Sequence, residues 1–131
     1  MAQARKVKEL SVVTPNKVGM LAEVTGAIAD GGVNITALAA WGDDSNAYFM
    51  IVAEDSQKAA NALNAKKFEV KEKDVVAVTL SNKAGAAKDL AGKLSQAGVN
   101  LDYCYGSTGN SAESLFVFAT KDINKALDVL K

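Results

Sequence analysis

Hydrophobic and polar positions follow two periods along this chain, in the same order in each half. Residues 8–13 alternate with period two, as a half-buried strand does, and residues 75–80 have the same strand character. Apolar residues at helical spacing follow in residues 20–30 and again in residues 87–94. Each half is therefore predicted to begin with a strand and an amphipathic helix.

Glycines mark where each predicted helix ends, since Gly31-Gly32 and Gly98 stand where a left-handed residue commonly stops a helix. The elements predicted after them are second strands (33–41 and 99–105), turns (42–46 and 106–111), returning strands (48–53 and 115–120) and short helices (56–65 and 123–130). The first half closes with a further strand at residues 68–72. The predicted order is βαββαβ followed by βαββα.

The two halves are copies of one unit. Residues 12–38 align with residues 78–104, and after one net insertion the match resumes to the end of the second copy. Identical pairs include Val12/Val78, Asn16/Asn82, Lys17/Lys83, Gly19/Gly85, Gly26/Gly92, Gly32/Gly98, Val33/Val99, Asn34/Asn100, Phe49/Phe116 and Asp55/Asp122. We interpret the chain as a tandem duplication, with a first repeat at 1–72 and a second, truncated repeat at 73–131.

This order of elements is the ferredoxin-like, split βαβ arrangement, an α+β fold in which helices cover one face of an antiparallel sheet. The second copy is expected to lack its last strand. The edge beside residues 75–80 would then be unpaired unless another segment or a second chain covers it. Such an edge favours a homodimer, and a short, tolerated edge is the alternative.

Composition and charge narrow the function classes. The chain has 131 residues, of which 49% are hydrophobic and 23% charged, as in a folded domain. Fifteen Lys and Arg residues balance fifteen Asp and Glu residues, so no net positive field attracts nucleic acid or an anionic membrane. We therefore expect neither a nucleic-acid partner nor a membrane partner.

Absent residue types remove further chemistry. The sequence contains no histidine, which excludes Ser-His-Asp and Cys-His nucleophile pairs and histidine-ligated zinc. Its single cysteine, Cys104, forms no internal disulfide and is expected to be a small, buried apolar residue. The sequence shows neither the apolar core of a signal peptide nor an apolar run of about 18 residues. The expected location is the cytoplasm.

Two polar motifs recur in the copies. Asn-Lys-x-Gly lies between the first strand and the first helix, at residues 16–19 and 82–85. Its glycine allows close backbone approach, and the N–H groups of the following helix start favour an anion such as a carboxylate. Asn34 and Asn100 begin the second strands, and an amide there can meet both an ammonium and a carboxylate. A plain capped turn and local bonding after the helix are the respective alternatives.

Residues 16–21, followed by residues 32–35, resemble the signature of the ACT domain, a small regulatory module that binds amino acids in many biosynthetic enzymes. The resemblance covers about residues 7–72 and 74–131. It implies two modules side by side through their second strands, in one continuous sheet, with ligands at the junction. The tandem form looks like small stand-alone two-module proteins without an attached enzyme.

The resemblance implies two ligand sites, each combining the loop of one repeat with the second strand of the other. Site one would comprise Thr14, Asn16, Gly19, Met20 and Leu21 with Asn100, Leu101 and Asp102. Site two would comprise Asn82, Gly85, Ala86 and Ala87 with Asn34, Ile35 and Thr36.

This chain departs from the family pattern near the loops. The serine-binding form of the module has a histidine two residues before the loop asparagine, where this chain has Thr14 and Leu80. The proline common before the loop glycine is replaced by Val18 and Ala84. These departures concern the identity of the ligand more than the fold.

The two implied sites also differ from each other. Val18, Met20 and Leu21 of the first loop become Ala84, Ala86 and Ala87, and Thr36 becomes Asp102. One hypothesis is that the alanines leave room for a larger ligand side chain, while Asp102 meets an ammonium in site one. The alternative is that the alanines only favour the helix start and Asp102 is solvated. The aromatic residues near the strand ends are expected to pack in the core or at the junction: Trp41, Tyr103 and Tyr105.

An enzyme is the first competing interpretation, since acylphosphatases share this topology. Their chemistry needs an arginine in the anion-binding loop, and the only arginine here, Arg5, is far from both loops. A metal carrier of this topology needs a Cys-x-x-Cys loop, which is absent. We therefore predict no catalytic residue, no metal and no cofactor. The expected partners are a free amino acid, a second copy of the chain and an unidentified regulated protein; the alternative is a ligand-free interaction or regulatory-subunit module.

Overall fold

The computed structural model describes residues 3–108 and 110–131. The chain divides into two compact units. One unit is Lys8–Lys73, which contains most of the first repeat. The other is Asp74–Lys131 together with the start of the chain up to Val7. The start of the chain therefore groups with the second repeat.

The chain forms six strands and four helices, one strand fewer than the seven that the sequence predicts. The strands are β1 (Gln3–Pro15), β2 (Ile35–Gly42), β3 (Asn46–Ala53), β4 (Lys71–Ser81), β5 (Tyr103–Thr108) and β6 (Glu113–Ala119). The helices are α1 (Met20–Asp30), α2 (Ser56–Ala65), α3 (Ala86–Gln96) and α4 (Ile123–Val129). The α+β class and the ferredoxin-like order of elements are confirmed.

In the unit Lys8–Lys73, the strands lie in the order β2-β3-β1 and pair antiparallel. Val12 pairs with Phe49, and both side chains are buried under helices α1 and α2. Val24 and Ile28 of α1 and Leu63 of α2 complete this core. Each fully buried side chain of this size contributes about 1.5–3 kcal/mol to the stability of the fold, so this core holds α1 against the sheet.

In the other unit, the strands lie in the order β1-β4-β6-β5. Val76 pairs with Phe118, and both are buried under α3 and α4. Ala4 packs against this core, and Nη1 of Arg5 donates to Oγ1 of Thr79 at 3.3 Å. The start of β1 is thus the segment that covers the edge beside residues 75–80. The hypothesis of an unpaired edge is wrong, and it no longer argues for a homodimer.

Three local predictions differ from the structure. In place of the two strands expected at 68–72 and 75–80 there is one strand, β4, which begins at Lys71 and runs on because no glycine or proline interrupts it; residues 68–70 lie outside any strand. Strand β5 begins at Tyr103, after the start predicted at residue 99, and continues through Gly106 to Thr108, beyond the predicted start of the turn at residue 106; Gly109 of that turn lies outside the described residues. Cys104 is exposed, because β5 has β6 as its neighbour on one side only.

Within residues 3–108 and 110–131, no helix is long and apolar enough to cross a membrane.

Candidate functional site

Both Asn-Lys-x-Gly loops have the same backbone geometry. Gly19 has φ 94° and Gly85 has φ 89°, the left-handed region that favours glycine, and each is the N-cap of its helix. Neither helix start receives a hydrogen bond from a capping side chain. The N–H groups of Met20 and Ala86 already donate to the carbonyls of Lys17 and Lys83, at 3.4 and 3.3 Å. The next N–H groups of each first turn lack acceptors within the helix, so both loops present donors suited to a carboxylate.

The loop asparagines hold the hairpin turn that lies beside them. Nδ2 of Asn16 donates to the carbonyl oxygen of Asp43 at 2.6 Å, and Nδ2 of Asn82 donates to that of Ser111 at 3.0 Å. The backbone N–H of each asparagine also donates to its own turn, at 3.1 and 2.8 Å. These asparagines fix each loop against the second hairpin of its repeat, instead of serving as simple helix caps.

Asp43 organises the turn in the first repeat. Its carboxylate accepts hydrogen bonds from the backbone of Asn46 at 2.7 Å, the backbone of Ser45 at 2.9 Å and the hydroxyl of Tyr48 at 2.9 Å. These bonds, the one from Asn46 first, hold the pKa of Asp43 below its ordinary value of 3.8. The ring of Tyr48 in turn stacks on Trp41, with centroids 5.6 Å apart.

The lowered pKa of Asp43 predicts a pH-dependent contribution to stability. A carboxyl group with a depressed folded-state pKa stabilises the fold above its unfolded-state pKa and loses that effect as the pH falls through the folded-state value. We expect Asp43→Asn to be less stable than the wild type at pH values well above 3.8, and the difference to shrink at lower pH. Urea unfolding across this range measures it, with Asp44→Asn as the control for removing a charge from the turn. A difference that does not change with pH would contradict the prediction.

Asn34 lies directly before β2 and Asn100 lies three residues before β5, and both are exposed and anchored through their backbones. The carbonyl of Asn34 accepts from the N–H of Glu54 at 3.0 Å, and the carbonyl of Asn100 accepts from Oγ1 of Thr120 at 2.8 Å. Nδ2 of Asn34 also donates to Oε1 of Glu54 at 3.3 Å. Within the part of the chain that the structure describes, the side chain of Asn100 makes no hydrogen bond, so its amide is available to a ligand.

The loop and the strand start of one repeat lie at opposite ends of a helix. In the second repeat, Asn82 precedes α3 and Asn100 follows it. Helix α3 has 11 residues and is therefore about 16 Å long. A single amino acid cannot bridge that distance, so it cannot contact both asparagines of one repeat.

The other predicted strand residues differ in exposure. Ile35 packs partly buried against the core of its unit, and Oγ1 of Thr36 donates to the carbonyl of Val52 at 3.0 Å. Leu101 packs partly buried in the second unit. Asp102 is exposed, and its N–H donates to the carbonyl of Ala119 at 2.8 Å.

Loop residues of the first repeat fall into two groups. Thr14 and Met20 are 4% and 6% exposed and face the core. Leu21 and Val18 are exposed, as is Gly19. The helix start of this repeat is therefore filled beneath by its own methionine.

A cavity of about 270 Å³ lies at the loop of the second repeat. It brings together three of the predicted site residues: Asn82, Ala86 and Ala87. Its other lining residues were not predicted from the sequence as site residues: Leu80, Ser81, Lys83, Gly106, Ser107, Ser114 and Phe116. The difference between Met20 and Ala86 in the aligned repeats is the sequence feature that could have indicated this cavity. Asn100 and Leu101 line a separate open groove beside Gly98.

The aromatic residues near the strand ends stack in pairs. Trp41 is 50% exposed and lies against Tyr48, and Tyr103 lies against Tyr105 with ring centroids 6.4 Å apart. None of these four rings lines the cavity of the second repeat.

Comparisons with known proteins agree on one family and one fold. A family model described as an ACT domain pair matches residues 5–131. Among solved structures, protein BT0572 from Bacteroides thetaiotaomicron is 31% identical, with a TM-score of 0.88 over 97% of this chain and 88% of that one. A search of curated proteins gives no match.

Two structures of lower identity share the fold. The regulatory subunit of aspartate kinase from Thermus thermophilus, in its ligand-free form, is 12% identical, with a TM-score of 0.72 over 98% of this chain and 93% of that one. The corresponding subunit from Thermus flavus is 16% identical, with a TM-score of 0.63 over 99% of this chain and 93% of that one.

Proposed function

This chain belongs to the ACT domain pair family, and from that premise we propose that it is a regulatory protein that binds a free amino acid. The observation that carries the proposal is the duplicated loop, in which a left-handed glycine opens a helix whose first turn has no side-chain cap. Two such loops in one chain offer two places for an amino acid's carboxylate.

In the proposed binding mode, the carboxylate rests on backbone N–H groups of residues 19–21 or 85–87. The ammonium is held by asparagine side-chain oxygens and by backbone carbonyls. The proposed contacts are the loop residues and the second-strand residues of the two sets implied by the resemblance.

The proposed role is regulatory and not catalytic. Binding that involves two repeats biases their relative orientation, or the equilibrium of a homodimer, and a partner protein reads that change. The similar chains from Thermus are named as regulatory subunits of aspartate kinase, which supports a partner protein for this chain as well. We place this activity in the cytoplasm, and the chemistry of the partner stays open.

A ligand-free interaction module is the second candidate. In the first repeat, Val13 and Trp41 are 57% and 50% exposed. Both lie beside Tyr48 in the strand register, on the face of the sheet opposite to the helices. Exposed apolar side chains on one face favour contact with another protein.

A thermal-shift screen of the purified chain against the free amino acids separates the two candidates. A ligand at about 100 times its dissociation constant adds about 2.7 kcal/mol to the folded state. For a domain of this size, that corresponds to a rise in Tm of several degrees. We expect one amino acid, or a few of related chemistry, to raise Tm selectively. A flat response to every amino acid would favour the interaction module.

A further inference from the structure

The two repeats differ in what fills the space beneath the first helix. In the first repeat, Met20 is 6% exposed and packs in the core beside Phe49. Its counterpart in the second repeat, Ala86, lines the cavity of about 270 Å³. The second strand of each repeat differs in the same direction, from a larger to a smaller residue. Ala40 pairs with Phe49 in the first repeat, and Gly106 pairs with Phe116 in the second. The second repeat therefore lacks the side-chain atoms that close this space in the first.

One end of the cavity is apolar. Leu80, Ala86 and Phe116 form its walls. A β-carbon at Gly106 would lie only 2.8 Å from Cδ1 of Phe116, so the ring lies directly against the strand at that point. An aliphatic group of a ligand placed there has its apolar surface removed from water on several sides, which favours binding.

The other part of the cavity is polar, with one sign of charge. Lys83 is the only charged residue among the described residues that line it. Asn82 and three serines, Ser81, Ser107 and Ser114, supply further polar groups. An anionic group is therefore favoured near Lys83 and the start of α3, and a ligand ammonium must find its partner elsewhere.

The volume limits the size of the ligand. Ligand pockets for drug-sized molecules begin at about 300 Å³, so a cavity of about 270 Å³ accommodates a ligand of amino-acid size. Leucine, isoleucine and methionine are of this size. Glycine leaves most of the walls without contacts, and a charged side chain loses hydration against Leu80 and Phe116.

We propose that the second repeat selects an aliphatic amino acid of about the size of leucine, with its side chain against Leu80, Ala86 and Phe116 and its carboxylate near Lys83. This inference rests on the proposed function and names the class of its ligand. In the first repeat, Met20 takes the place of that ligand side chain.

Calorimetric titration of the full chain tests the proposal. Leucine, isoleucine and methionine are compared with glycine, lysine and glutamate. We expect the aliphatic amino acids to bind at least about tenfold more tightly than glycine. Ala86→Met, which copies the first repeat, should weaken leucine binding at this site by about tenfold or more. Lys88→Ala also copies the first repeat, at an exposed position of α3 outside the cavity lining, and should bind like the wild type.

Lys83→Gln provides a second variant, at an exposed position where folding does not depend on packing. It should weaken leucine binding about twofold to fivefold, as expected for one exposed charge pair. Preferential binding of a charged or small amino acid, or undiminished leucine binding by both Ala86→Met and Lys83→Gln, overturns this inference and leaves the proposed function standing. Absence of binding by every amino acid to the wild type overturns both.

Discussion

Replacing Met20 with alanine should lower the free energy of unfolding by about 2–5 kcal/mol. Met20 is 6% exposed and packs with α1 against the core of the first repeat. Truncation removes its contacts and leaves a space that the rigid sheet below cannot close, which adds a cavity cost to the lost burial. Urea unfolding of the two proteins, followed by circular dichroism, measures the difference.

The neighbouring substitution Leu21→Ala is the matched control. Leu21 is 52% exposed on the same helix start, so its truncation is expected to change stability by less than about 1 kcal/mol. If Met20→Ala were as mild as Leu21→Ala, Met20 would not be filling the space that is open in the second repeat. The inferred difference between the two loops, one filled and one open, would then be wrong.

Replacing Asn100 with alanine should raise the dissociation constant of an amino acid bound at site one about tenfold to a hundredfold. A hydrogen bond to a charged group contributes about 1.5–3 kcal/mol, and each 1.4 kcal/mol is a factor of ten in affinity. Stability should change little, because the side chain is exposed and the backbone carbonyl that accepts from Thr120 is retained. Calorimetric titration with the amino acid found by thermal shift measures the change.

Two further variants complete this comparison. Asn124→Ala removes an exposed asparagine from α4, away from the proposed sites, and should bind like the wild type. Asn34→Ala reports on the other strand start, where the amide already donates to Glu54. Wild-type affinity in both Asn34→Ala and Asn100→Ala would remove the second strands from the binding site.

Local sequence patterns predicted most of the elements for a simple reason. Helices α1 and α2 have the bounds that were predicted from apolar spacing and from the glycines or polar residues at their ends. The duplication supported each prediction twice, since a pattern repeated at the same place is rarely accidental. The loop glycines were also predictable, because their left-handed conformation is costly for other residues.

Features that depend on distant residues were not predictable in this way. The start of β1 pairs with β4, far away in the sequence, and no local pattern in residues 3–7 specifies that partner. The exposure of Cys104 likewise follows from the place of β5 in its sheet. Single-chain patterns describe the faces of a strand but not which strand lies beside it.

The candidate site shows the same division. Asn16 and Asn82 were identified by repetition, yet their bonds to the hairpin turns depend on how each repeat folds back on itself. The wall formed by Phe116 over Gly106 depends on the register between β5 and β6. The difference between Met20 and Ala86 was visible in the sequence, but its consequence, a filled space against an open one, required the structure.

The central claim is that this chain binds a free amino acid at its loops and strand starts. An amide nitrogen–proton correlation spectrum, recorded during titration with the amino acid selected by thermal shift, tests this claim most directly. We predict saturable shifts concentrated at residues 19–21 and 85–87 and at the starts of β2 and β5. Shifts that never saturate, or that cluster on α2 and α4 and spare both loops, would contradict the account.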